Sequence, residues 1–416
     1  MDFYQITPKN VLYNLQRLSH IVFEVTDKCN LNCKYCAFSE LYRKYDKREG
    51  TNILFTSAKL IIDYLFELWK NGCVEGSNHE VTISFYGGEP LMNVRFIKQV
   101  IEYVEGLEKI GVIYIYSMTT NAMLLNKYMD YLVEKDFKLL ISLDGDEFAQ
   151  SYRVDHSGKN SFDRVFQNIK LLQEKYPVYF KSNVDFNSVL HNRNEIESIY
   201  QFIRTQFNKI PMIAPLNVVS ISKEKKVEFN KMYRNPVDSF YHSNNCEVIE
   251  SEIFMEAPRV VRLANYIFHQ SGNNFNTYNG LYLNKDDLPL STGTCLPFQK
   301  KMFITVNGKI LPCERISRQY SLGQILADCV ELNLENITEK YNYFVSRLEK
   351  KCEKCATQKF CLQCVFQIDD IYKDDLHCPT FISKKNLEKK NKNIFTFLQE
   401  HPHYYRRILE EVKIKV

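Results

Sequence analysis

The sequence predicts an α/β protein: six strand–helix units in succession, then a short-stranded, cysteine-rich region and a carboxyl-terminal helix. Three observations carry this. Between residues 20 and 219, short runs rich in β-branched and aromatic residues alternate with longer segments whose apolar residues recur at helical spacing. Alternation of that kind builds parallel strands joined by helical crossovers. Eight of the thirteen cysteines fall between residue 295 and the end of the chain, where long periodic segments give way to short ones. From residue 383 a lysine-rich stretch runs on as one amphipathic helix with a solvated basic face.

The elements follow in order. "HIVFEVT" reads as the first strand, and "SAKLIIDYLFELWKNG" as a helix with a Thr–Ser cap and Gly72 after it. Strand "VTISFY" precedes helix "VRFIKQVIEYVEGLEKIG"; strand "VIYIYSM" precedes "NKYMDYLVEKD"; "KLLISLD" precedes "SFDRVFQNIKLLQEKY". The last two pairs are "VYFKSNVDF" with "NEIESIYQFIRTQ", and "PMIAPLNVV" with the basic segment after it. Six units are too few to close an eight-stranded barrel and suit an open parallel sheet or a partial barrel. In either, working residues sit at the carboxyl ends of the strands. That rim holds the suggestive residues: Cys29 after strand one, "YGGEP" after strand two, "TTNA" after strand three and "SLDGD" out of strand four.

The bulk numbers exclude several classes. With 54 basic against 50 acidic residues, the net charge of +4 is too mild to argue for nucleic acid or an anionic membrane. No run of 18 apolar residues is present, and the start lacks a basic segment followed by an apolar core. A cytoplasmic location is therefore expected, where cysteines serve as metal ligands or reactive thiols rather than disulfides.

"TDKCNLNCKYCAF" places Cys29, Cys33 and Cys36 on one short loop. Structural zinc wants four ligands, and catalytic zinc typically uses histidine. The histidine nearest in sequence, His20, precedes the first strand and faces away from the loop. A four-iron cluster wants one external ligand per iron, so three thiolates leave one iron open. Cysteine, three residues, cysteine, one residue, an aromatic (Tyr35) and cysteine resembles the hallmark of the radical S-adenosylmethionine (radical SAM) superfamily. The resemblance implies a partial (β/α)6 TIM barrel of the radical SAM type over 20–220, a [4Fe-4S] cluster on Cys29, Cys33 and Cys36, and S-adenosylmethionine cleaved to a hydrogen-abstracting 5′-deoxyadenosyl radical. It further implies cofactor contacts from Tyr35, from Gly87, Gly88 and Glu89 in "GGEP" to the methionine ammonium, from Asn121, from Ser142 to the ribose, and from Arg153, bidentate, to the methionine carboxylate. Ala122 stands where the family continues with glycine, so a differently shaped loop is expected there.

The later cysteines resemble the SPASM extension of radical SAM enzymes, expected over 291–382 with two auxiliary [4Fe-4S] clusters. Cys295 is followed after twelve residues by Gly308 and then by Cys313; "CEKCATQKFCLQC" supplies Cys352, Cys355, Cys361 and Cys364; Cys378 closes the series. The gap between Cys361 and Cys364 is two residues where the family usually has three. By resemblance one cluster takes Cys352, Cys355, Cys361 and Cys378. The other takes Cys295, Cys313 and Cys364, with an iron open or closed by another group such as Cys329. Glu314 matches an acid that takes the substrate proton in sulfatase-maturating relatives, its pKa raised beside a dry cluster.

Together these imply a peptide maturase acting on a side chain of a ribosomally made precursor, forming a thioether, carbon–carbon or carbon–oxygen cross-link or an oxidation. An electron donor such as flavodoxin or ferredoxin is implied as a partner. The alternatives are an oxidase of serine or cysteine in a sulfatase, a small-molecule enzyme, and a non-enzymatic zinc-binding interaction protein. Residues 1–19 are an extension too short for a leader-binding domain, so a leader is expected to bind at the helical bridging segment 221–290, through a separate partner, or hardly at all. The remainder, 383–416, is the terminal helix.

Overall fold

The computed structural model describes residues 5–42, 48–72, 79–254, 257–269, 292–358, 361–368, 371–373 and 376–411. Cys73 lies outside them. Two compact units result, one of Ile6–Phe240 with Cys295–Lys340, the other of Met1–Gln5, Tyr241–Thr294 and Tyr341–Val416.

The first unit is built on strands β1 (His20–Thr26), β2 (His79–Gly87), β3 (Val112–Thr120), β4 (Lys138–Ser142), β5 (Val184–Leu190) and β6 (Met212–Pro215). They pair in parallel and in sequence order, with Phe23 beside Phe85 and Leu139 beside Val184. Helices α1 (Pro8–Gln16), α2 (Phe55–Gly72), α3 (Val94–Glu105), α4 (Leu125–Glu134), α5 (Glu147–Gln150), α6 (Phe162–Lys175), α7 (Pro177–Asn183), α8 (Ile196–Phe207) and α9 (Lys226–Met232) lead into the strands or connect them. Sequential order with helical crossovers is the pattern of a partial barrel rather than a doubly wound sheet.

Strand β2 alternates buried with half-buried residues, whereas β1 is buried along almost its whole length. On the outer face Ile21, Phe23, Val25, Ile83 and Phe85 are buried; Phe23 meets Phe96 of α3 edge-on at 5.8 Å, and Phe85 lies against Phe137 at 5.9 Å. Each such side chain contributes about 1.5–3 kcal/mol on burial. On the inner face, register aligns Thr82 and Ser84 of β2 with Ile115 and Ser117 of β3, all only half-buried. Inner barrel faces are usually filled by branched apolar side chains. Here three of these four positions on β2 and β3 are polar, while Val22 and Glu24 on the same face of β1 are buried. Many of the aromatics pack the outer layer instead: Phe180, Phe186, Phe202 and Phe207 meet ring to ring around α6, α8 and β5.

Strands β7 (Met302–Ile304), β8 (Lys309–Leu311), β9 (Gly323–Ile325) and β10 (Val330–Glu331) join the same sheet. β7 runs parallel to β1, pairing Phe303 with Val22, and β8 to β10 follow antiparallel. Gly308 turns the β7–β8 hairpin at φ +75°, its N–H bonded to Thr305 O; a Cβ there would stand 2.7 Å from Ile325 O. Glu24 of β1 accepts from Arg318 Nη2 and from Val306 N, both at 3.1 Å, which ties this hairpin to the barrel from inside.

Several sequence expectations shift. Residues 178–183 form α7 rather than the start of a strand, because Pro177 is preformed for a first helical turn and Tyr179, Phe180 and Asn183 then share a buried face. α2 starts at Phe55, ahead of the Thr–Ser pair read as its cap, and α3 stops at Glu105 before Gly106. Helix α10 (Pro236–Tyr241) ends the main segment of the first unit; α11 (Cys246–Glu252), α12 (Pro258–His269), α14 (Glu349–Cys352), α15 (Lys384–Glu400) and α16 (Pro402–Glu411) lie in the second, and the unit boundary falls within α13 (Leu334–Ser346). The expected single terminal helix is two, because Pro402 lacks a donor and drives His401 out of helical geometry (φ −129°, ψ 65°).

Candidate active site at the carboxyl ends of the strands

The loop carrying Cys29, Cys33 and Cys36 is fastened on three sides. Behind it, Asp27 is buried and accepts from Glu49 N at 2.8 Å and Thr51 N at 2.6 Å, while Thr26 Oγ1 donates to Thr51 O. To one side, Gly88 N donates to Thr26 O and Glu89 N to Lys28 O, each at 2.8 Å. A Cβ on Gly88 would lie 2.0 Å from Lys28 O, and one on Gly87 (φ +131°) 2.3 Å from Thr26 O. Both glycines are thus required by the backbone beneath the cysteine loop. To the other side, Asn32 N donates to Val154 O and Lys34 N to Tyr152 O.

Hydrogen-bond donors point at the sulfurs. Leu31 N stands 3.4 Å and Asn121 Nδ2 3.7 Å from Cys29 Sγ; Arg48 Nη2 stands 3.3 Å from Cys36 Sγ. Burial pushes the Cys29 thiol up to about 11 and the Cys33 thiol up to about 12, so a bound cation is needed to hold them as thiolates. Three cysteines on a strapped loop, with two of the sulfurs met by donors, fit an iron–sulfur group. Among the described residues, no three Cys, His, Asp or Glu side chains converge on a single ion.

Glu89 is buried and serves the frame. It accepts from Thr120 Oγ1 at 2.7 Å, Asn121 N at 2.8 Å and Leu91 N at 3.1 Å, joining the ends of β2 and β3. Burial lifts its carboxyl to about 7, against the pull of those three donors. Asn121 donates to Asn30 Oδ1 at 2.7 Å and so also holds the cysteine loop. Ala122 adopts φ +59°, so the loop has the left-handed turn that glycine favours rather than the different shape expected.

Around β4, Asp144 is a residue the sequence reading passed over, although "SLDGD" contains it. Arg153 grips it through Nε and Nη2, each at 3.0 Å, and Tyr35 donates its hydroxyl to it. Val189 N donates to it and His191 Nε2 lies 3.6 Å away. Burial alone would raise the Asp144 carboxyl, but Arg153 holds it well below the usual carboxylate range. One edge of Arg153 is therefore engaged, and Nη1 with the second hydrogen of Nη2 remains to meet a ligand. Ser142 ends β4 beside Asn187 of β5, buried at the same rim.

The later cysteines separate by unit. In the second unit, burial pushes the Cys352 thiol up to about 12, reinforced by the neighbouring thiols of Cys361, Cys378 and Cys355. Those are the four expected to share one cluster. Thr357 Oγ1 and Thr380 Oγ1 approach Cys355 Sγ and Cys378 Sγ at 3.5 Å, and Gln363 N approaches Cys361 Sγ at 3.4 Å. Gly293 lies against Cys361, where a Cβ would come 2.1 Å from its carbonyl oxygen. Cys364 precedes a short 3-10 turn in the same unit. Cys295, exposed, and Cys313, half-buried, belong to the first unit, as does exposed Cys329.

Glu314 departs from expectation. Burial alone would raise its carboxyl, but Lys301, 3.3 Å away, and Arg315 more than offset this, so it lies below its usual range rather than above it. Its neighbourhood includes His20, which donates to or accepts from Ser84 Oγ at the amino end of β1, away from the cysteine loop.

Comparison with known proteins assigns residues 23–203 to the radical SAM superfamily. Over 210 residues the chain is 27% identical to a cysteine-type anaerobic sulfatase-maturating enzyme of Clostridium novyi, covering 49% of this chain and 53% of that protein. Over 184 residues it is 27% identical to the radical SAM cyclopropyl synthase TigE of Paramaledivibacter caminithermalis, covering 42% and 36%. The chain thus matches about half, or less, of the length of these curated relatives. The solved structure of native anSMEcpe with bound AdoMet superposes with a TM-score of 0.61 at 18% identity, covering 94% of this chain and 99% of that one. That likeness is one of fold.

Proposed function

With residues 23–203 a radical SAM domain and the chain an enzyme of that superfamily, we propose that it modifies a side chain of a peptide, most specifically a ribosomally made precursor. The non-enzymatic zinc-binding reading falls with that membership. The observation that carries the proposal is the strapped three-cysteine loop, with donors aimed at its sulfurs, at the rim of a sheet whose inner face is mostly polar and half-exposed along β2 and β3.

Cys29, Cys33 and Cys36 would hold the [4Fe-4S] cluster and leave one iron for S-adenosylmethionine. Bound together, these groups supply one-electron cleavage and hydrogen-abstraction chemistry. The protein's own residues then orient and enclose. Arg153, set by Asp144, presents its free edge to a carboxylate; Tyr35 is pinned by the same aspartate; Glu89 and Asn121 fix the loop's height above the strand ends. Ser142 would meet the ribose. Cys352, Cys355, Cys361 and Cys378 would hold one auxiliary [4Fe-4S] cluster of the segment 291–382, and Cys295 and Cys313 of the first unit remain as ligands for a second. A flavodoxin or ferredoxin would supply electrons.

A second reading, oxidation of a cysteine or serine in a sulfatase, is favoured by the sulfatase-maturating relative, whose name states that activity for that protein. Anaerobically reconstituted protein is expected to hold roughly twelve irons and, with dithionite and S-adenosylmethionine, to release 5′-deoxyadenosine. Mass spectrometry of a co-encoded precursor peptide against a sulfatase-derived peptide separates the two readings. Fully loaded protein that releases no 5′-deoxyadenosine with either peptide would overturn both.

A further inference from the structure

The geometry points to Arg48 as the residue that sets the reduction potential of the group held by Cys29, Cys33 and Cys36, by placing a guanidinium on one of its three sulfur corners. No motif of the sequence singles out Arg48. Its Nη2 lies 3.3 Å from Cys36 Sγ, and its guanidinium stacks on the Phe38 ring at 4.4 Å, which fixes the plane of the fork. The Nε is buried without a hydrogen-bond partner. A buried donor left unsatisfied is costly. A cation held this way is placed for a negative charge.

The backbone holds the arginine there. Glu49 N and Thr51 N both donate to Asp27, Asp27 N donates to Thr51 O, and Thr26 bridges to Asn52. Residues 49–52 are thus fastened to the two residues that begin the cysteine loop, and Arg48 moves with the sulfur it touches. The three corners are treated unequally. Cys29 is hydrogen-bonded by neutral donors, Leu31 N and Asn121 Nδ2, and Cys33 has the Arg153 cation nearby, whereas Cys36 is hydrogen-bonded by a full positive charge. Reduction adds an electron to an already anionic cluster, and a fixed cation and charge-assisted hydrogen bond on a thiolate favour the reduced form. Arg48 therefore raises the potential and eases the one-electron reduction supplied by the external donor.

The inference rests on the cluster reading above, and one experiment separates the two. Full-length wild type, R48Q and R48K are reconstituted anaerobically, assayed for iron, and titrated with dithionite while the signal that responds to S-adenosylmethionine is followed by electron paramagnetic resonance. R48Q keeps amide donors but loses the charge; its reduced-to-oxidised ratio at a fixed potential is expected to fall about tenfold, ~59 mV for a one-electron couple. R48K keeps the charge and is expected within about threefold of wild type by the same conversion. A fully loaded R48Q that titrates with wild type overturns the inference, and does so equally if its S-adenosylmethionine affinity falls, which would make Arg48 a cofactor contact. If R48Q retains no iron, R48K decides: a shift as large as tenfold overturns the charge account. Wild type without iron would instead remove the cluster reading.

Discussion

Arg318→Ala should destabilise the first unit strongly, and by an amount that grows with pH. Arg318 and Glu24 are each 3% exposed, joined at 3.1 Å, and Arg318 also stacks over Phe303 at 4.5 Å. Removing the arginine leaves a buried carboxylate with Val306 N as its remaining named donor. Breaking such a pair costs about 3–5 kcal/mol. The chain has one escape, which is to fold with Glu24 protonated. At pH 7 that costs about 1.36 × (7 − 4.3), or about 3.7 kcal/mol, and at pH 5 only about 1 kcal/mol.

The sign follows from linkage. Burial, only partly offset by Arg318, already places the folded Glu24 carboxyl above its ordinary value. A raised carboxyl favours the folded state below the unfolded pKa and loses that contribution as pH rises through the folded one. Without Arg318 the folded value climbs further, so the loss continues to higher pH. Trp69, the sole tryptophan and fully buried in α2, reports unfolding of this unit in urea. The penalty of Arg318→Ala should be near 3–4 kcal/mol at pH 7, about 1 kcal/mol at pH 5 plus the lost ring contact. The double variant Glu24→Gln/Arg318→Met should recover most of it. A penalty under about 1 kcal/mol at pH 7, or one flat with pH, would refute the reasoning.

Gly88→Ala should shift the backbone at Lys28 and cost about 1–3 kcal/mol, with loss of iron from the three-cysteine loop; unchanged iron content and melting temperature would contradict the close approach described. Ala122→Gly relieves a left-handed alanine and should be neutral or stabilising by up to about 1 kcal/mol in the urea midpoint, against the entropy glycine adds to the unfolded chain; clear destabilisation would show that φ is not the cost. Glu89→Gln should lower stability but flatten its pH dependence. A carboxyl raised to about 7 loses its contribution to the folded state as pH climbs through that value, and glutamine has none to lose. An unaltered slope between about pH 5 and 8 would assign the dependence elsewhere.

Most of the parallel strands were legible: one-sided burial writes a period of two into "VTISFY", and "HIVFEVT" is a short β-branched and aromatic run buried on both faces, while the fifth strand was read too early, over residues that form α7. The outer helices were legible because their stripes are long. Strands β7 to β10 carried no comparable signal: triplets such as Met302–Ile304 are too short for periodicity, and membership of the barrel sheet is decided by pairing with β1, which is non-local. The same holds at the site. Cys352, Cys355, Cys361 and Cys378 stood out because thiols are rare and closely spaced, and folding places Cys361, Cys378 and Cys355 beside Cys352. Asp144, Asp27 and Arg48 belong to abundant charged types, and what distinguishes them is burial against particular partners. Glu314 shows the converse error. A motif suggested its position, but its electrostatics are set by Lys301, thirteen residues away and across a hairpin.

The buried carboxylates decide which groups remain to act. Asp27 accepts two backbone donors, Glu89 three donors, and Asp144 the fork of Arg153, the Tyr35 hydroxyl and Val189 N. A carboxylate offers about four acceptor positions, so Asp144 is saturated and Glu89 has one position left. None of the three is a reserve of negative charge for catalysis. Each ties a strand end, or the segment after it, to the loop that carries the sulfurs. What stays open is cationic or neutral: the outer edge of Arg153, the Nε of Arg48 and the thiols themselves. A rim whose acids are each tied to two or more donors and whose cations are partly open is electrostatically complementary to an anionic cluster and a carboxylate-bearing cofactor, and that polarity is set before either arrives.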